Sequence, residues 1–431
     1  MKAGFAKVCI TPPPGSKLTG FSARQAPSTG VHDDLYARAL VLSRGDRTVA
    51  LLSVEVLALG AETVQVIRQR VAATIPVQPA EVLVAATHTH SGPVTLSTFF
   101  NADEKPDPEY LEFLIQACTQ SVVTAWNTKF AAKLGIGSCM VEGVGVNRRD
   151  PGNPRVDRQA GILRVAGDDG RTLAVAVIYG CHPTVLGFTN LQVSGDFPGA
   201  ALEELETALG AESFAMFFNG AEANVSIAHS AELNLAGIST GDRTFEQVRI
   251  LGHRLAQAVL SVLPAIQLST DPALDAATVT IPLAGRQYPQ PEVLDAAWQD
   301  AREKCAMLPP GDPELRIAQM RQVYSAIDRT NARTIQENGG RLPIEIQGIR
   351  LNGALLLGIS GEVFTETSLA LKALLPKPVF VICLANGYAG YLPTAEAFTQ
   401  GGYEASVAGC APDTEEKILA AALQISKLVS A

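Results

Sequence analysis

Short apolar runs alternate with amphipathic segments along most of this chain, and this alternation constrains the fold more than any other feature. Apolar runs bounded by turn residues predict strands over 35–43, 47–59, 81–87, 171–183, 213–226, 353–362 and 378–388. Apolar residues at helical spacing predict helices over 61–75, 107–130, 198–209, 242–264 and 413–430. The pattern therefore predicts an α/β fold, in which a mixed β-sheet core is covered by helices.

We expect one domain over residues 1–431, because no internal repeat, low-complexity tract or clear linker interrupts the pattern. The polar stretch at about 284–340 has helical periodicity, and we interpret it as a helical insertion rather than a second domain. Hydrophobic residues make up 47% of the sequence, which is sufficient for a large core.

Composition excludes several classes of function. The formal net charge is −9 and no block of Lys and Arg stands out, so we expect no nucleic-acid partner. The first residues, MKAGFAKVCITPPPGS, lack the apolar region of a secretory signal, and no apolar run is long enough to predict a membrane span. The seven cysteines are scattered without CxxC spacing, which favours a reducing, cytoplasmic location over a disulfide framework. The sequence gives no indication of the oligomeric state.

Two histidines, His88 and His90, follow a short apolar run in the sequence VLVAATHTHSGP (82–93). In an extended backbone, side chains two residues apart point to the same side, so both imidazoles can face one point. A third histidine, His182, follows another predicted strand. A catalytic zinc takes about three protein ligands and a water, so these histidines predict a metal centre beyond the strand ends. We interpret the remaining histidines as structural or surface residues: His32, His229 and His253.

Three carboxylates are candidates for supporting roles at such a centre. Glu362 directly follows the apolar part of a predicted strand and is a candidate ligand. Glu55 lies inside an apolar run, where an unpaired carboxylate is costly, and is a candidate for orienting a ligand histidine. Asp196 precedes a predicted helix, and we interpret it as the N-cap residue of that helix.

Several further motifs occur in a fixed order along the chain: ITPPPGSKLTGF (10–21), GVHDDLYARALVL (30–42), THTHSGP (87–93), GVNRR (145–149), CHPT (181–184), SGDFPG (194–199), SGEVFTET (360–367), NGYAGYLPTAEAF (386–398) and GGYEAS (401–406). With these motifs the chain resembles the catalytic domain of the neutral (alkaline, non-lysosomal) ceramidases. Members of that family are zinc-dependent amidases that release a fatty acid from ceramide. The resemblance extends over most of the chain.

The resemblance implies a role for individual residues. It implies a zinc ion with four ligands: His88, His182, Glu362 and Tyr391. It implies that His90 lies beside the metal shell or carries a proton, and that Arg148 and Tyr403 face the substrate carbonyl. The implied reaction is the cleavage of an N-acyl amide, ceramide-like or smaller, by a metal-activated water. A lipid substrate would require an apolar groove above the metal, whereas a narrow polar pocket would indicate a small amide.

The chain departs from the family pattern in one turn. The family has the turn GD-SPN, and this chain has NGAEANVSIAH, with Asn224 at the acid position and Ile227 at the proline position. The carboxylate is lost or displaced to Glu222, while Ser226 matches the family serine. Asn224 and Ser226 are therefore candidate substrate-binding residues. The chain also ends soon after the tyrosine motifs, so we interpret it as a short bacterial-type relative without the C-terminal immunoglobulin-like domain of longer family members.

Two other interpretations are compatible with the residues. A TIM-barrel amidohydrolase also begins with an HxH motif, and His182 and His229 could supply its two further histidines. Eight regular βα units are not visible in this sequence, however. Alternatively, the altered turn favours a non-catalytic relative of the ceramidase fold that binds a metal or a ligand without hydrolysing it.

Overall fold

The computed structural model of the chain describes residues 1–97, 105–227, 229–235, 237–239, 242–309 and 312–429. Strands in these ranges are β1 (Lys2–Cys9), β2 (Gly30–Val31), β3 (Tyr36–Arg44), β4 (Arg47–Val54), β5 (Val82–Ala86), β6 (Phe130–Ala131), β7 (Lys133–Met140), β8 (Val146–Asn147), β9 (Gln159–Ala166), β10 (Thr172–Tyr179), β11 (Gln192–Val193), β12 (Phe214–Asn219), β13 (Val225–Ser226), β14 (Leu268–Ser269), β15 (Leu274–Ala284), β16 (Arg341–Leu351), β17 (Ala354–Ile359), β18 (Glu362–Val363), β19 (Val379–Ile382) and β20 (Tyr391–Leu392).

Helices in the same ranges are α1 (Ala61–Ala72), α2 (Pro108–Asn127), α3 (Asp196–Leu209), α4 (Ala231–Leu235), α5 (Phe245–Val262), α6 (Pro291–Met307), α7 (Pro313–Glu337), α8 (Thr365–Leu374), α9 (Ala395–Gln400), α10 (Tyr403–Val407) and α11 (Thr414–Leu428). Two short 3₁₀ helices cover Pro79–Glu81 and Leu263–Ala265. None of the helices so described has both the length and the apolar character that crossing a membrane requires.

Three mixed sheets form the centre of the fold. Their strand orders are β5-β4-β3-β1-β6, β12-β10-β9-β7-β14 and β15-β16-β17-β19. Short two-stranded pairs, β11-β2, β13-β8 and β18-β20, connect the loops around them. The predicted α/β fold with a mixed-sheet core is thus confirmed. The TIM-barrel alternative is wrong, because the described strands form three separate mixed sheets instead of a closed parallel barrel.

One topological unit occurs in all three sheets. In the first sheet, β1, β3 and β4 are antiparallel neighbours, and α1 then leads to β5, which lies parallel to β4. The second sheet repeats this arrangement with β7, β9, β10, α3 and β12. The third repeats it with β15, β16, β17, α8 and β19. Since no sequence repeat is visible, the repetition is one of topology alone.

The central strands are buried on both faces. Leu51 of β4, Phe218 of β12 and Leu356 of β17 belong to one core to which all three sheets contribute. The next residues along two of these strands, Leu52 and Leu357, belong to a second core that includes residues of α1, α2, α8 and α11. The other face of the second sheet packs with α3 and α5. This double burial explains why the predicted strands are nearly continuous apolar runs.

The edge strands β5, β12 and β19 are joined where they end. The carbonyl of Asn219, at the end of β12, accepts a hydrogen bond of 2.8 Å from the Cys383 amide. The Asn386 amide donates to the Val84 carbonyl of β5 at 2.7 Å. The side chain of Asn219 also donates to the Thr87 carbonyl at 3.1 Å. Side chains that follow these strands are therefore held around one point, as expected for the carboxyl ends of parallel strands.

Local differences from the predicted elements have physical causes. The strands predicted over 47–59 and 171–183 end earlier, at Val54 and Tyr179, because the residues that follow turn towards the junction of the sheets. Many residues of β15 and β1 are half-exposed, so the apolar pattern of these segments was too weak to predict a strand. Residues 285–340, between the paired strands β15 and β16, contain α6 and α7.

The shared core predicts that Phe218 contributes strongly to stability. Phe218→Ala should lower the free energy of unfolding by about 3–5 kcal/mol, because the ring is fully buried among residues of three sheets. Phe113→Ala removes the same kind of ring from a position on α2 that is 45% exposed. It should lower the free energy of unfolding by less than about 1 kcal/mol. Urea unfolding followed by circular dichroism measures both. Equal unfolding midpoints for the two variants would contradict the predicted contribution of Phe218 to the core.

Candidate metal centre

Main-chain carbonyl groups hold the imidazoles of His88 and His182. His88 Nδ1 lies 2.8 Å from the oxygen of Leu57, and His182 Nδ1 lies 2.8 Å from the oxygen of Glu222. A carbonyl oxygen only accepts, so each Nδ1 carries the hydrogen and each Nε2 of the neutral ring presents a lone pair. Burial lowers the pKa of His88 to about 4 and also lowers the pKa of His182, which favours the neutral rings.

The carboxylate of Glu362 faces both Nε2 atoms. Its Oε2 lies 3.2 Å from His182 Nε2 and 3.7 Å from His88 Nε2. Burial alone would raise the pKa of Glu362, but its interactions with the two histidines lower it to about 2, so the group is ionised. Among the residues described, neither Glu362 Oε2 nor His182 Nε2 has a hydrogen-bond partner. A cation between these atoms would offset the repulsion of lone pairs that face each other without a hydrogen.

The ring of His90 lies beside the ring of His88. Their Nε2 atoms are 3.4 Å apart and their ring centroids 4.9 Å apart. The ring packs against Phe21, and the main-chain oxygen of His90 accepts a hydrogen bond of 2.7 Å from Arg24. Burial lowers the pKa of His90 well below that of a free imidazole, so the ring is neutral and can accept a proton. Gly20 makes this packing possible, because a Cβ there would lie 2.5 Å from His90 Nδ1.

The backbone at His88 differs from the extended conformation assumed for the HxH motif. β5 ends at Ala86, and the φ angle of His88 is +74°, a region that residues other than glycine rarely adopt. The His88 amide donates to the Val56 carbonyl at 2.9 Å, which holds this turn. The two rings therefore meet through a left-handed turn and not through strand alternation. Strained backbone of this kind concentrates at functional sites.

Tyr391 and Arg148 lie next to the histidine and glutamate cluster. β18 and β20 are parallel, and their register pairs Glu362 directly with Tyr391. The ring of Tyr391 is stacked 6.5 Å from the ring of His182, and its hydroxyl accepts a hydrogen bond of 3.1 Å from Arg148. Arg148 also donates to Glu404 at 2.8 Å, so its guanidinium is fixed from two sides.

Tyr403 completes the group of polar residues predicted at the site. Its ring lies 5.7 Å from the ring of Tyr391. Burial raises the pKa of Tyr403 well above that of a free phenol, which keeps its hydroxyl protonated as a donor. A pocket of about 40 Å³ adjoins the cluster, and four predicted site residues line it: His90, Arg148, Tyr391 and Tyr403. Phe21 and Leu235 narrow this pocket with apolar side chains.

Comparisons with known proteins identify the family. The sequence model described as neutral/alkaline non-lysosomal ceramidase, N-terminal, matches residues 2–230. The chain belongs to this family. A search of curated protein sequences found no match.

Two solved ceramidase structures are similar to this chain. The neutral ceramidase of Pseudomonas aeruginosa superposes with a TM-score of 0.76 at 19% identity, over 99% of this chain and 74% of the other. A ceramidase complexed with C2 superposes with a TM-score of 0.74 at 17% identity, over the same shares. At these identities, the likeness shows the ceramidase fold and leaves the substrate open.

The donor set of this ceramidase-family chain fits a metal ion. His88, His90 and His182 each offer a ligand atom within 4.8 Å of the others, and so do His88, Glu222 and Glu362. All five side chains are buried. Imidazole nitrogen and carboxylate oxygen are ligands that zinc and other divalent transition metals accept.

Both candidate substrate-binding residues form hydrogen bonds within the protein itself. The hydroxyl of Ser226 is buried and donates to the His229 carbonyl at 2.9 Å. The amide of Asn224 donates to Glu366 at 2.7 Å and accepts from the Thr365 amide at 2.9 Å, at the start of α8. Asn224 borders a separate polar cavity of about 390 Å³, which Arg148 also lines. Ser226 lines neither cavity.

Two carboxylates have roles other than those predicted. Glu55 accepts from Arg38 at 2.6 Å and from the Tyr36 amide at 3.0 Å, so it forms a buried ion pair and does not orient a ligand histidine. Asp196 is the first residue of α3, and its carboxylate accepts from the Leu186 amide at 3.0 Å. It therefore holds the loop that follows His182 and is not the N-cap.

Two residues that were not predicted from the sequence, Tyr388 and Glu404, fix the site. Tyr388 donates from its hydroxyl to Glu362 Oε1 at 2.7 Å, which orients the other carboxylate oxygen towards the histidines. Glu404 bridges Arg148 and Arg149, each at 2.8 Å. Both residues lie inside the tyrosine motifs, Tyr388 in NGYAGY and Glu404 in GGYEAS. Their proximity in sequence to Tyr391 and Tyr403 is the feature from which they could have been predicted.

The cluster predicts that metal binding depends on His182. His182→Ala should reduce bound metal from about one ion per chain to about a tenth, because one of the two oriented Nε2 ligands is lost. His253→Ala is the matched control, since His253 is exposed and contacts Glu204. Elemental analysis of the purified variants measures the metal. A His182→Ala protein with full metal content would contradict the assignment.

Proposed function

We propose that this protein is a zinc-dependent hydrolase that cleaves an N-acyl amide with an activated water. The observation that carries the proposal is the buried pair of Nε2 lone pairs facing the ionised Glu362. The zinc would be held by the four ligands that the family resemblance implies: His88, His182, Glu362 and Tyr391. When bound, zinc lowers the pKa of a water to about 7 and polarises a carbonyl oxygen.

His90 is proposed to move the proton. Unlike His88 and His182, His90 lines the pocket, so its imidazole can reach a bound substrate. Its low pKa keeps the ring neutral, as a proton acceptor must be. The ring takes a proton from the attacking water and transfers it to the amide nitrogen as the C–N bond breaks. The products are a carboxylic acid and an amine.

Arg148 and Tyr403 are proposed to stabilise the oxyanion that develops on the carbonyl oxygen. Both side chains line the same pocket as His90, and both are hydrogen-bond donors at neutral pH. Glu404 and Tyr391 already hold the Arg148 guanidinium in place, so little reorganisation is needed when the charge forms. Donors that are oriented in advance in this way are among the strongest contributors to acyl-transfer catalysis.

The size of the pocket favours a short acyl group. Phe21 and Leu235 enclose the volume of about 40 Å³ beside the catalytic residues, which is too small for a long alkyl chain. The larger cavity of about 390 Å³ is lined mostly by polar and charged side chains, including Arg149 and Glu366. We therefore propose a small or polar amide as substrate rather than a long-chain ceramide.

Tyr403→Phe tests the catalytic assignment. It should lower kcat by about 100-fold, because one oxyanion donor is lost, while bound metal and KM change little. Tyr324→Phe is the control, since the Tyr324 ring lies 6.5 Å from that of Tyr403 and outside the pocket. Steady-state kinetics with elemental analysis separates the two effects. Unchanged turnover in Tyr403→Phe would remove the residue from the mechanism.

A panel of N-acyl amides with acyl chains from acetyl to palmitoyl tests the substrate class. The acid and the amine should form in equal amounts, and kcat/KM should fall about tenfold or more from short to long chains. Long-chain ceramide as the best substrate would contradict the proposed substrate class. Metal-loaded protein that hydrolyses no amide or ester would contradict the enzymatic function and favour the non-catalytic alternative.

A further inference from the structure

Glu222 is a buried carboxyl at the metal centre to which the implied ligand set gives no role. It lies in the turn after β12, in the stretch where this chain departs from the family pattern. Its side chain is 0% exposed. Two hydrogen bonds fix the turn, from the Val225 amide to the Glu222 carbonyl at 2.7 Å and from the Ala223 amide to the Val363 carbonyl at 3.1 Å.

Both carboxyl oxygens of Glu222 are without a hydrogen-bond partner among the residues that the structure describes. The thiol of Cys383 is a weakly polar neighbour of Glu222. Within the described ranges no cationic side chain forms an ion pair with Glu222, since Arg38 pairs with Glu55 and Arg148 with Glu404. A carboxyl group that is buried without a hydrogen-bond partner is unfavourable. Such a group beside other buried ligand atoms is explained if a bound ion supplies its partner.

The surroundings identify this partner as a metal ion. One carboxyl oxygen of Glu222, one of Glu362 and a ring nitrogen of His88 all lie within 4.8 Å of one another. The main-chain oxygen of Glu222 also orients the imidazole of His182, so this one residue contacts the centre through both its backbone and its side chain. A cation placed among these atoms would bind both carboxyl groups, with release of the proton that burial favours on Glu222.

We propose that Glu222 is a further ligand of the same metal ion that His88 and Glu362 bind. The centre then has two carboxylates in place of one, in addition to its histidines. This inference rests on the proposed metal centre and adds a ligand that the family resemblance does not imply. Carboxylate ligands favour manganese and similar hard ions more than zinc, so Glu222 widens the range of metals that the site accepts.

Glu222→Gln tests the proposal, because it keeps the size of the side chain and removes its charge. Affinities for Zn²⁺ and Mn²⁺ are measured by competition with a chromophoric chelator. The variant should bind Mn²⁺ about 100-fold and Zn²⁺ about tenfold more weakly than the unaltered protein. Cys383→Ala is the matched control, since it alters a buried neighbour of Glu222 without removing a ligand, and both affinities should stay within about twofold. Glu222→Asp keeps the carboxylate and should recover part of the Mn²⁺ affinity.

The visible spectrum of Co²⁺-loaded protein distinguishes a ligand from a residue that acts through others. Its bands depend on the coordination number, so Glu222→Gln should change them and Cys383→Ala should not. Unchanged affinities, or weaker affinity with an unchanged Co²⁺ spectrum, would overturn the proposal. Two ions per chain in the unaltered protein would also overturn it. An unaltered protein that binds no metal at all would overturn the proposed function and this inference together.

Discussion

The Nδ1 atoms of His88 and His182 each donate to a main-chain carbonyl oxygen, and the chemistry of the site depends on these two hydrogen bonds. They fix the tautomer of each ring and turn both Nε2 lone pairs towards Glu362. The accepting carbonyls belong to Leu57, after β4, and to Glu222, after β12, so the turns of two different sheets set the orientation. A cation placed between a buried carboxylate and two lone pairs would make this arrangement favourable.

The three topological units explain how distant parts of the chain reach one site. The first unit supplies His88, the second His182 and the third Glu362, in each case shortly after a strand of the parallel pair. Tyr391 lies farther along the third unit, on β20, which pairs with β18. Hydrogen bonds between the ends of β5, β12 and β19 keep these strands together. The proposed metal ligands therefore come together only when all three sheets have packed on their common core. Stability of that core and metal binding should be coupled for this reason.

Local pattern was sufficient to predict the elements whose burial is continuous. The strands β3 and β5, the helices α1 and α2, and the histidines that follow the strands all have signals within a few residues. Non-local contacts decided the rest. Glu55 looked like a site residue and instead pairs with Arg38 on a neighbouring strand, while Tyr391 has no local signal and came from the family resemblance alone. The left-handed turn at His88 depends on a contact with Val56, which no spacing rule includes.

The most direct test of the account is the dependence of amide hydrolysis on bound metal. Protein stripped by a chelator is loaded stepwise with Zn²⁺, and bound metal and hydrolysis of an N-acyl amide are measured in the same samples. The account predicts that the rate rises in proportion to bound zinc and levels off at about one ion per chain. Metal-free protein that hydrolyses the amide as fast as loaded protein would contradict it.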